Sequence, residues 1–576
     1  MHRRHDFFAD FPPLPRLLPD WSHASYLVLI AALVIRTATG MALQGQLRAQ
    51  PDVDGYARLA KNLAVHNVLG NVKSVTDGDK TRTVRQASAY RPPLYPLVLR
   101  WTAVRRGELS FSRVILLHVL LGAATAVLVW HLALRCGLGS WGLVAAAAVI
   151  LDPLLINQAS LVMTETLATF LVAASLWFLA RRTDYLSLND PADRGGEAAG
   201  AEVGEAGEVG SEVGSEEARD EGSDKGSDEP EGESEVAATS RPRPHRSVDR
   251  MLGGASSSAT AGVEDDWLPL LRYDIAAGFA LGLAALCRPT FLAWIGLLVI
   301  FEFAHHLYHQ SFERLARLGV LCLTIAVVLA PWTIRNARLI GKATPTTTHG
   351  GYTLLLGNNP DFYRHLREQP ARVVWSSHQL DEDRARFVKK NRLSEVEADR
   401  DAYDRAFRAI ETDRKMFLYS CGVRLARFWT PMPHKTVAYR AAGNAEQDQA
   451  LTESFSERMI RLGAGSWYNI SFVLLLLGVT VAVGRKLSGP WLEGSLLVGA
   501  LTFVHLFYWS NMRMRAPLTP FLALLVAAGA SLVCSRDRDL AAVKPLVRGR
   551  TDNFWRRRQR RRQRREHQEE PQSQAD

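Results

Sequence analysis

The chain of 576 residues has only five cysteines, Cys136, Cys287, Cys322, Cys421 and Cys534. No two form a CxxC pair and four lie in or beside apolar runs, so neither a disulfide framework nor a zinc module is indicated. No Walker A sequence, GxSxG elbow or GxGxxG fingerprint occurs, which argues against nucleotide hydrolysis and α/β-hydrolase chemistry. His305 and His309 have the i, i+4 spacing of a helical metal pair, yet no HExxH accompanies them and an interfacial role is the simpler reading. Nothing in the sequence requires a cofactor, and dependence on a divalent metal stays open. No internal repeat is visible. An even balance of charge is absent too. Residues 197–235 hold 15 acidic and 2 basic side chains, leaving the remainder far more basic than the net +10 of the whole.

A mean hydropathy of −0.06 conceals this mosaic. Outside the acidic stretch and the basic tail, the sequence resolves into apolar runs of about 20 residues, enough to cross a ~30 Å hydrocarbon layer. Ten spans are expected: 25–43, 114–134, 141–158, 161–180, 273–287, 290–308, 315–333, 466–484, 491–510 and 516–534. The first is longer than a signal-peptide core, carries Arg36 and has no convincing cleavage site, so it reads as an uncleaved membrane helix. Lys and Arg flanking the spans orient the chain. Arg135, Arg181-Arg182, Arg314, Arg317, Arg485-Lys486 and Arg556 to Arg565 then fall in the cytoplasm. Two long polar regions, 47–112 and 335–463, fall outside.

The expected organisation is a cytoplasmic N-terminus (1–24), four spans with an outer loop at 47–112 (25–182), and an acidic cytoplasmic insert (183–268). Three spans (269–334), an outer domain (335–463), three spans (464–534) and a basic cytoplasmic tail (535–576) follow. The insert has too few large apolar residues to offset the entropy of ordering and is expected to be disordered. The tail suits anionic membrane lipids, and nucleic acid is not expected as a partner.

Charged residues within spans are informative because they are costly there. Arg36 lies mid-span, where a partner or a bundle interior is expected. Glu165 lies near the outer end of the fourth span and reads either as a carboxylate snorkelling to the interface or as one at the mouth of a polar cavity. After the first span comes Pro51-Asp52-Val53-Asp54-Gly55-Tyr56, leading into a stretch with Leu59 and Leu63 on one stripe. This predicts an amphipathic helix at the membrane surface. Asp52 and Asp54 at its start suit helix capping and a general base equally well. Tyr90-Arg91-Pro92-Pro93-Leu94-Tyr95-Pro96 forms a rigid strap in which Arg91 could meet phosphate and either tyrosine a sugar. A turn resetting the chain at the interface is the bland alternative.

With Glu165-Thr-Leu, Leu286-Cys-Arg288-Pro-Thr, Pro331-Trp-Thr-Ile-Arg335-Asn, Gly350-Gly-Tyr352 through Gly357-Asn-Asn-Pro360 and Arg513-Met-Arg515-Ala-Pro517-Leu-Thr-Pro520, these segments follow one order. In that order the chain resembles the polytopic GT-C glycosyltransferases, specifically bacterial relatives of the family 39 protein mannosyltransferases and lipid A aminoarabinose transferases. The resemblance covers residues 25–180 and 270–534. It implies an all-α polytopic fold with amphipathic helices in the first outer loop and a small, mainly α outer domain. It further implies an inner-membrane enzyme that moves a sugar from a polyprenyl-phosphate donor to a lipid, glycan or protein acceptor on the extracytoplasmic face. An acidic residue of the first outer loop is the base of such enzymes. The D-x-x-x-Y spacing puts that role on Asp52, and Asp54 stays a candidate because Val53 stands where relatives often carry a second acid. Tyr56, Arg91, Tyr95, Glu165, Arg288, Arg335, Arg513 and Arg515 are the expected substrate-binding residues. A lipid-linked sugar transporter or flippase is the competing expectation, since it would hold the same phosphate but needs no base and should show pseudo-symmetric halves.

Overall fold

The computed structural model describes residues 22–43, 45, 52, 54–77, 80–104, 107–188, 271–310, 312–369, 375–431, 455–484 and 489–534. Of the acidic insert expected to be disordered over 183–268, residues 183–188 are the end of a helix; its remaining residues and the basic tail lie outside the described residues.

The chain begins with α1 (His23–Ala42), whose Ser22 cap and Ser25 satisfy each other's backbone in a capping box. The first polar region holds α2 (Tyr56–His66), strands β1 (Gly70–Asp77) and β2 (Lys80–Ala87), and α3 (Leu94–Arg100). A long helix, α4 (Phe111–Arg135), leads to the bent pair α5 (Gly142–Ile150) and α6 (Pro153–Ala159), and then α7 (Glu165–Leu188). Helices α8 (Leu271–Cys287), α9 (Phe291–His309) and α10 (Phe312–Ile340) follow. The second polar region contributes α11 (Gly350–Gly357), α12 (Pro360–Glu368), α13 (His378–Lys390), α14 (Glu395–Thr412) and α15 (Arg414–Trp429). The last stretch is α16 (Phe455–Gly484), α17 (Pro490–Phe507), a 3-10 turn (Met512–Leu518) and α18 (Thr519–Cys534).

Among the described residues seven helical stretches are long and apolar enough to cross a membrane, and eight if the bent pair counts as one span. They make this a multi-pass membrane protein. Large apolar side chains point outward along them, including Leu27, Ile30 and Val34 on α1, Leu323 and Val327 on α10, and Ile470, Val473 and Leu476 on α16. Such faces need lipid rather than water against them. The ten expected spans differ from this count at α7 and α8. The first carries Glu165, Arg181 and Arg182, and the second is 17 residues long with Arg272 and Asp274 in its first turn.

Arg182 and Asp274 are spent inside the bundle. Arg182 on α7 reaches Asp274 on α8 (2.5 Å) and Glu302 on α9 (2.6 Å), and Arg317 on α10 takes the other Asp274 oxygen at 2.8 Å. Asp274 and both arginines are fully buried, so one carboxylate ties three helices and Arg182 adds a fourth. Arg36 is also buried, and it donates to the Val149 carbonyl at 2.6 Å at the end of α5. Its partner is a backbone oxygen.

A hairpin accompanies the helices expected of the chain. Eight residues pair antiparallel with eight, from Gly70↔Ala87 to Asp77↔Lys80. Only Gly78-Asp79 lies between the strands, and the flanking Val72, Val75, Thr81, Thr83 and Val84 have the β-branched character that favours strands. Arg335 closes the hairpin's base by donating to Ser88 O (2.9 Å) and Leu69 O (2.7 Å) while its guanidinium lies over Trp332.

In the second polar region α11 packs on α14 at very close range. A Cβ on Gly351 would overlap the Asp399 carbonyl, and the same close approach lets Gly351 N–H donate to the Asp399 carboxylate at 2.8 Å. This fixes the start of α11, and with it His349 just before.

Candidate active site

The site is assembled from six separated segments. Gly55, with φ of +74°, makes the left-handed turn that starts α2, a conformation other residues adopt only at a cost. Ahead of it, Asp52 accepts from the backbone N–H groups of Ala57 (3.1 Å) and Arg58 (2.8 Å), occupying both oxygens in capping α2. Asp54 turns the other way. Its Oδ1 receives Arg91 Nη2 at 2.9 Å, and its Oδ2 stands 3.5 Å from Arg513 Nη2.

From Arg513 the cluster continues inward. Arg513 Nε lies 3.0 Å from Glu165 Oε1, and Arg288 Nη1 approaches the same oxygen at 3.6 Å. Glu165 is buried at the start of α7, where the helix dipole favours an anion, and its second oxygen meets no hydrogen-bond partner. It is therefore enclosed and does not snorkel. Arg288, at the end of α8, donates from Nη2 to the thioether of Met514 at 2.7 Å, and Arg513 approaches that of Met163 at 3.4 Å. Three guanidiniums thus share two carboxylates. A cluster with formal charge +1 and two arginines lodged against weak sulfur acceptors can take an additional anion.

Around Arg91 the lining is aromatic. Its guanidinium lies over Tyr56 (5.8 Å) and Tyr90 (5.5 Å), and its Nη1 is 3.3 Å from His349 Nε2. Burial disfavours the Arg91 charge, but Asp54, with Tyr56 and Tyr90, more than compensates, so its pKa rises above the ordinary value. Burial pushes the Tyr56 phenol up, and it stays protonated. His349 titrates well below an ordinary histidine because burial, and then Arg91 and Arg384, oppose its positive form. Beneath these, Tyr95 meets Tyr56 edge-on at 5.3 Å and hydrogen-bonds His118 Nε2 at 3.0 Å. Since His118 Nδ1 is 2.8 Å from the Ala159 carbonyl, Nδ1 donates and Tyr95 is the donor to Nε2. Tyr95 supports the site from below.

Of the sequence-derived candidates, Asp54, Tyr56, Arg91, Glu165, Arg288 and Arg513 come together. Asp52 and Tyr95 adjoin them. Arg335 is committed to the hairpin base, and Arg515 donates to Thr430 O at 2.8 Å with its guanidinium over Tyr468. His349, Met163 and Met514 were not singled out from sequence, although His349 directly precedes the Gly350-Gly351-Tyr352 segment that was. Among the described residues no group of three or more His, Cys, Asp or Glu converges as a metal cage would. His305 instead pairs its Nδ1 with Arg314 at 2.5 Å.

No family model and no curated protein matches the chain. Similar solved structures exist. The Archaeoglobus fulgidus oligosaccharyltransferase in its apo form aligns with a TM-score of 0.40 at 11% identity, over 91% of this chain and 52% of that one. The same organism's oligosaccharyltransferase AglB, in complex with an inhibitory peptide and a dolichol-phosphate, gives 0.41 at 11%, over 89% and 50%. ArnT from Cupriavidus metallidurans gives 0.32 at 15%, over 88% and 76%. The chain spans about half the length of the two oligosaccharyltransferase chains. At these TM-scores and identities nothing about chemistry transfers, and function has to come from the side chains of the cluster.

Proposed function

We propose that the protein is an integral-membrane glycosyltransferase that moves a hexosyl or pentosyl group from a polyprenyl-phosphate donor to an acceptor hydroxyl on the extracytoplasmic side of the cytoplasmic membrane. One observation carries this reading: Arg288, Arg513 and Arg91 are strung along Glu165 and Asp54 between the ends of apolar helices. A lipid-borne phosphate at the membrane surface is the anion such a position meets.

Arg288 and Arg513 are the phosphate-binding pair. The donor's phosphodiester becomes a monoester as the C1–O bond breaks, so these arginines bind the departing group more strongly in the transition state than in the ground state. Asp54 is the base. Its Oδ2 faces Arg513 at 3.5 Å, too far for a good hydrogen bond, and a phosphate drawing Arg513 toward itself leaves that oxygen for the acceptor. The acceptor oxygen attacks C1 as its proton passes to Asp54, inverting the anomeric centre. Asp52 holds the start of α2, and with it Asp54, which moves the base two residues from the position implied by the motif spacing. Arg91 orients Asp54, and Glu165 holds the two phosphate-binding arginines.

The test is transfer itself. Purified protein in lipid nanodiscs is given radiolabelled polyprenyl-phosphate sugars and a panel of lipid, glycan and peptide acceptors. Label reaching an acceptor supports the enzyme. Donor crossing the bilayer without transfer in sealed vesicles would identify a transporter instead.

A further inference from the structure

Resting on that reading, we propose that the acceptor is a carbohydrate and that His349 Nδ1, between the rings of Tyr90 and Tyr352, is a hydrogen-bond donor to one of its hydroxyls. The argument starts from a tautomer. Arg91 has only donors, so its contact with His349 at 3.3 Å makes Nε2 the acceptor. Close approach of a cation, together with burial, keeps the ring neutral. The single ring proton must then sit on Nδ1. That atom is buried and meets no hydrogen-bond partner among the described residues, a vacancy that is costly unless a ligand fills it.

Its surroundings suit a sugar. Tyr90 lies against the imidazole with ring centroids 4.2 Å apart, and Tyr352 follows at 5.2 Å. Tyr352 donates its hydroxyl to Asp381, which also accepts from Ser377 at 2.8 Å. Arg384 covers the Tyr352 ring at 5.0 Å, and its buried Nε is a second donor without a hydrogen-bond partner. Aromatic faces beside unfilled donors match the alternating C–H faces and hydroxyl edges of a pyranose or furanose. An acyl chain would strand both donors.

Direction follows from the chemistry. An inverting displacement puts the leaving phosphate and the attacking hydroxyl on opposite sides of C1. The phosphate-binding arginines lie on one side of Asp54, while Arg91, His349, Tyr90 and Tyr352 continue on the other. The acceptor therefore occupies the His349 side. Asn can present its amide N–H near the position of histidine Nδ1, whereas Gln reaches only the Nε2 position.

Saturation-transfer NMR on the nanodisc-embedded full chain, with methyl glycosides of glucose, galactose, mannose and arabinose as probes, tests this. At least one glycoside should bind the wild type. His349→Phe and His349→Gln should each weaken it tenfold or more, and His349→Asn should stay within about threefold. Equal binding by wild type and His349→Phe, or by Asn and Gln variants, overturns the assignment. If His349→Phe does not fold, Tyr352→Leu decides: a loss of fivefold or more supports the subsite, and unchanged binding overturns it. Transfer to peptide or lipid acceptors by a protein that binds no glycoside sinks this inference while leaving the transferase standing. Glycoside binding without transfer to any acceptor sinks the transferase, and with it the acceptor role, while the sugar subsite at His349 stands.

Discussion

Arg91 and Asp54 meet at 2.9 Å across 37 positions of chain, each fixed from its own side. Pro92 and Pro93 restrict the strap that carries Arg91, while Gly55 and the Asp52 cap set the turn that carries Asp54. The pair therefore joins two rigid starts of helices, and its carboxylate is held without being enclosed. Asp54→Asn preserves the shape but removes the basic oxygen. Its kcat should fall by ~10²-fold or more with donor binding largely kept. Asp52→Asn should cost far less, since an amide oxygen still accepts one of the two backbone bonds. Single-turnover transfer at saturating donor separates the variants. Near-normal transfer by Asp54→Asn together with an inactive Asp52→Asn would return the base to Asp52.

Glu165→Gln makes a different prediction because Glu165 sits behind the phosphate-binding arginines and not beside the acceptor. Neutralising it leaves Arg288 and Arg513 with less compensating negative charge, so anions should bind more tightly. Inhibition by added polyprenyl phosphate should strengthen several-fold while turnover drops through slower product release. Weaker inhibition would mean that Glu165 contributes to phosphate binding by positioning the arginines and that its charge matters little.

Most of this cluster could be read from the sequence for a simple physical reason. Glu165, Arg288 and Arg513 are charges within or bordering apolar runs, where a charge needs a partner or a purpose, and Asp54 and Arg91 stand beside the Tyr56 and Tyr90 segments of the first polar loop. What the sequence does not carry is which partner each one takes. Arg335 and Arg515 look the same as Arg513 in a motif, yet Arg335 is engaged by the Ser88 and Leu69 carbonyls and Arg515 gives its Nη1 to the Thr430 carbonyl. The hairpin at 70–87 escapes a reading of the surrounding loop by its helical stripes, although Gly78-Asp79 between β-branched runs is a hairpin signal. The tautomer of His349 depends on Arg91, 258 positions away, and no local pattern encodes it.

The buried network on α7, α8, α9 and α10 yields a stability prediction. Asp274 neutralises Arg182 and Arg317 at once, and all three side chains are sealed from solvent. Asp274→Ala would leave Arg317 with Glu313, at 3.8 Å, as its only ion-pair partner among the described residues and Arg182 with Glu302. Breaking a buried ion pair from one side costs about 3–5 kcal/mol, more than replacing all its members with apolar groups. The single variant should lose folded yield and unfold at markedly lower temperature in detergent. A triple Asp274→Leu, Arg182→Met, Arg317→Met variant should recover part of that loss. A single variant as stable as wild type would show that water or another acid compensates the arginines.

The neutral state of His349 sets a pH dependence whose sign is fixed. Burial and two neighbouring arginines lower its folded pKa well below the value of ~6.5 that it has in an unfolded chain. As pH falls through that unfolded value, the unfolded state takes up a proton that the folded state refuses, so stability declines toward acid. The effect is absent above pH ~7.5, where both states hold a neutral ring. His349→Asn removes the titrating group, so unfolding temperatures of variant and wild type, compared between about pH 7.5 and 5, should diverge, with the variant losing less on acidification. The comparison isolates His349 from the other histidines because they are common to both proteins. Parallel curves would mean that His349 protonates equally well in the folded chain, and the tautomer assigned from its contact with Arg91 would then be wrong.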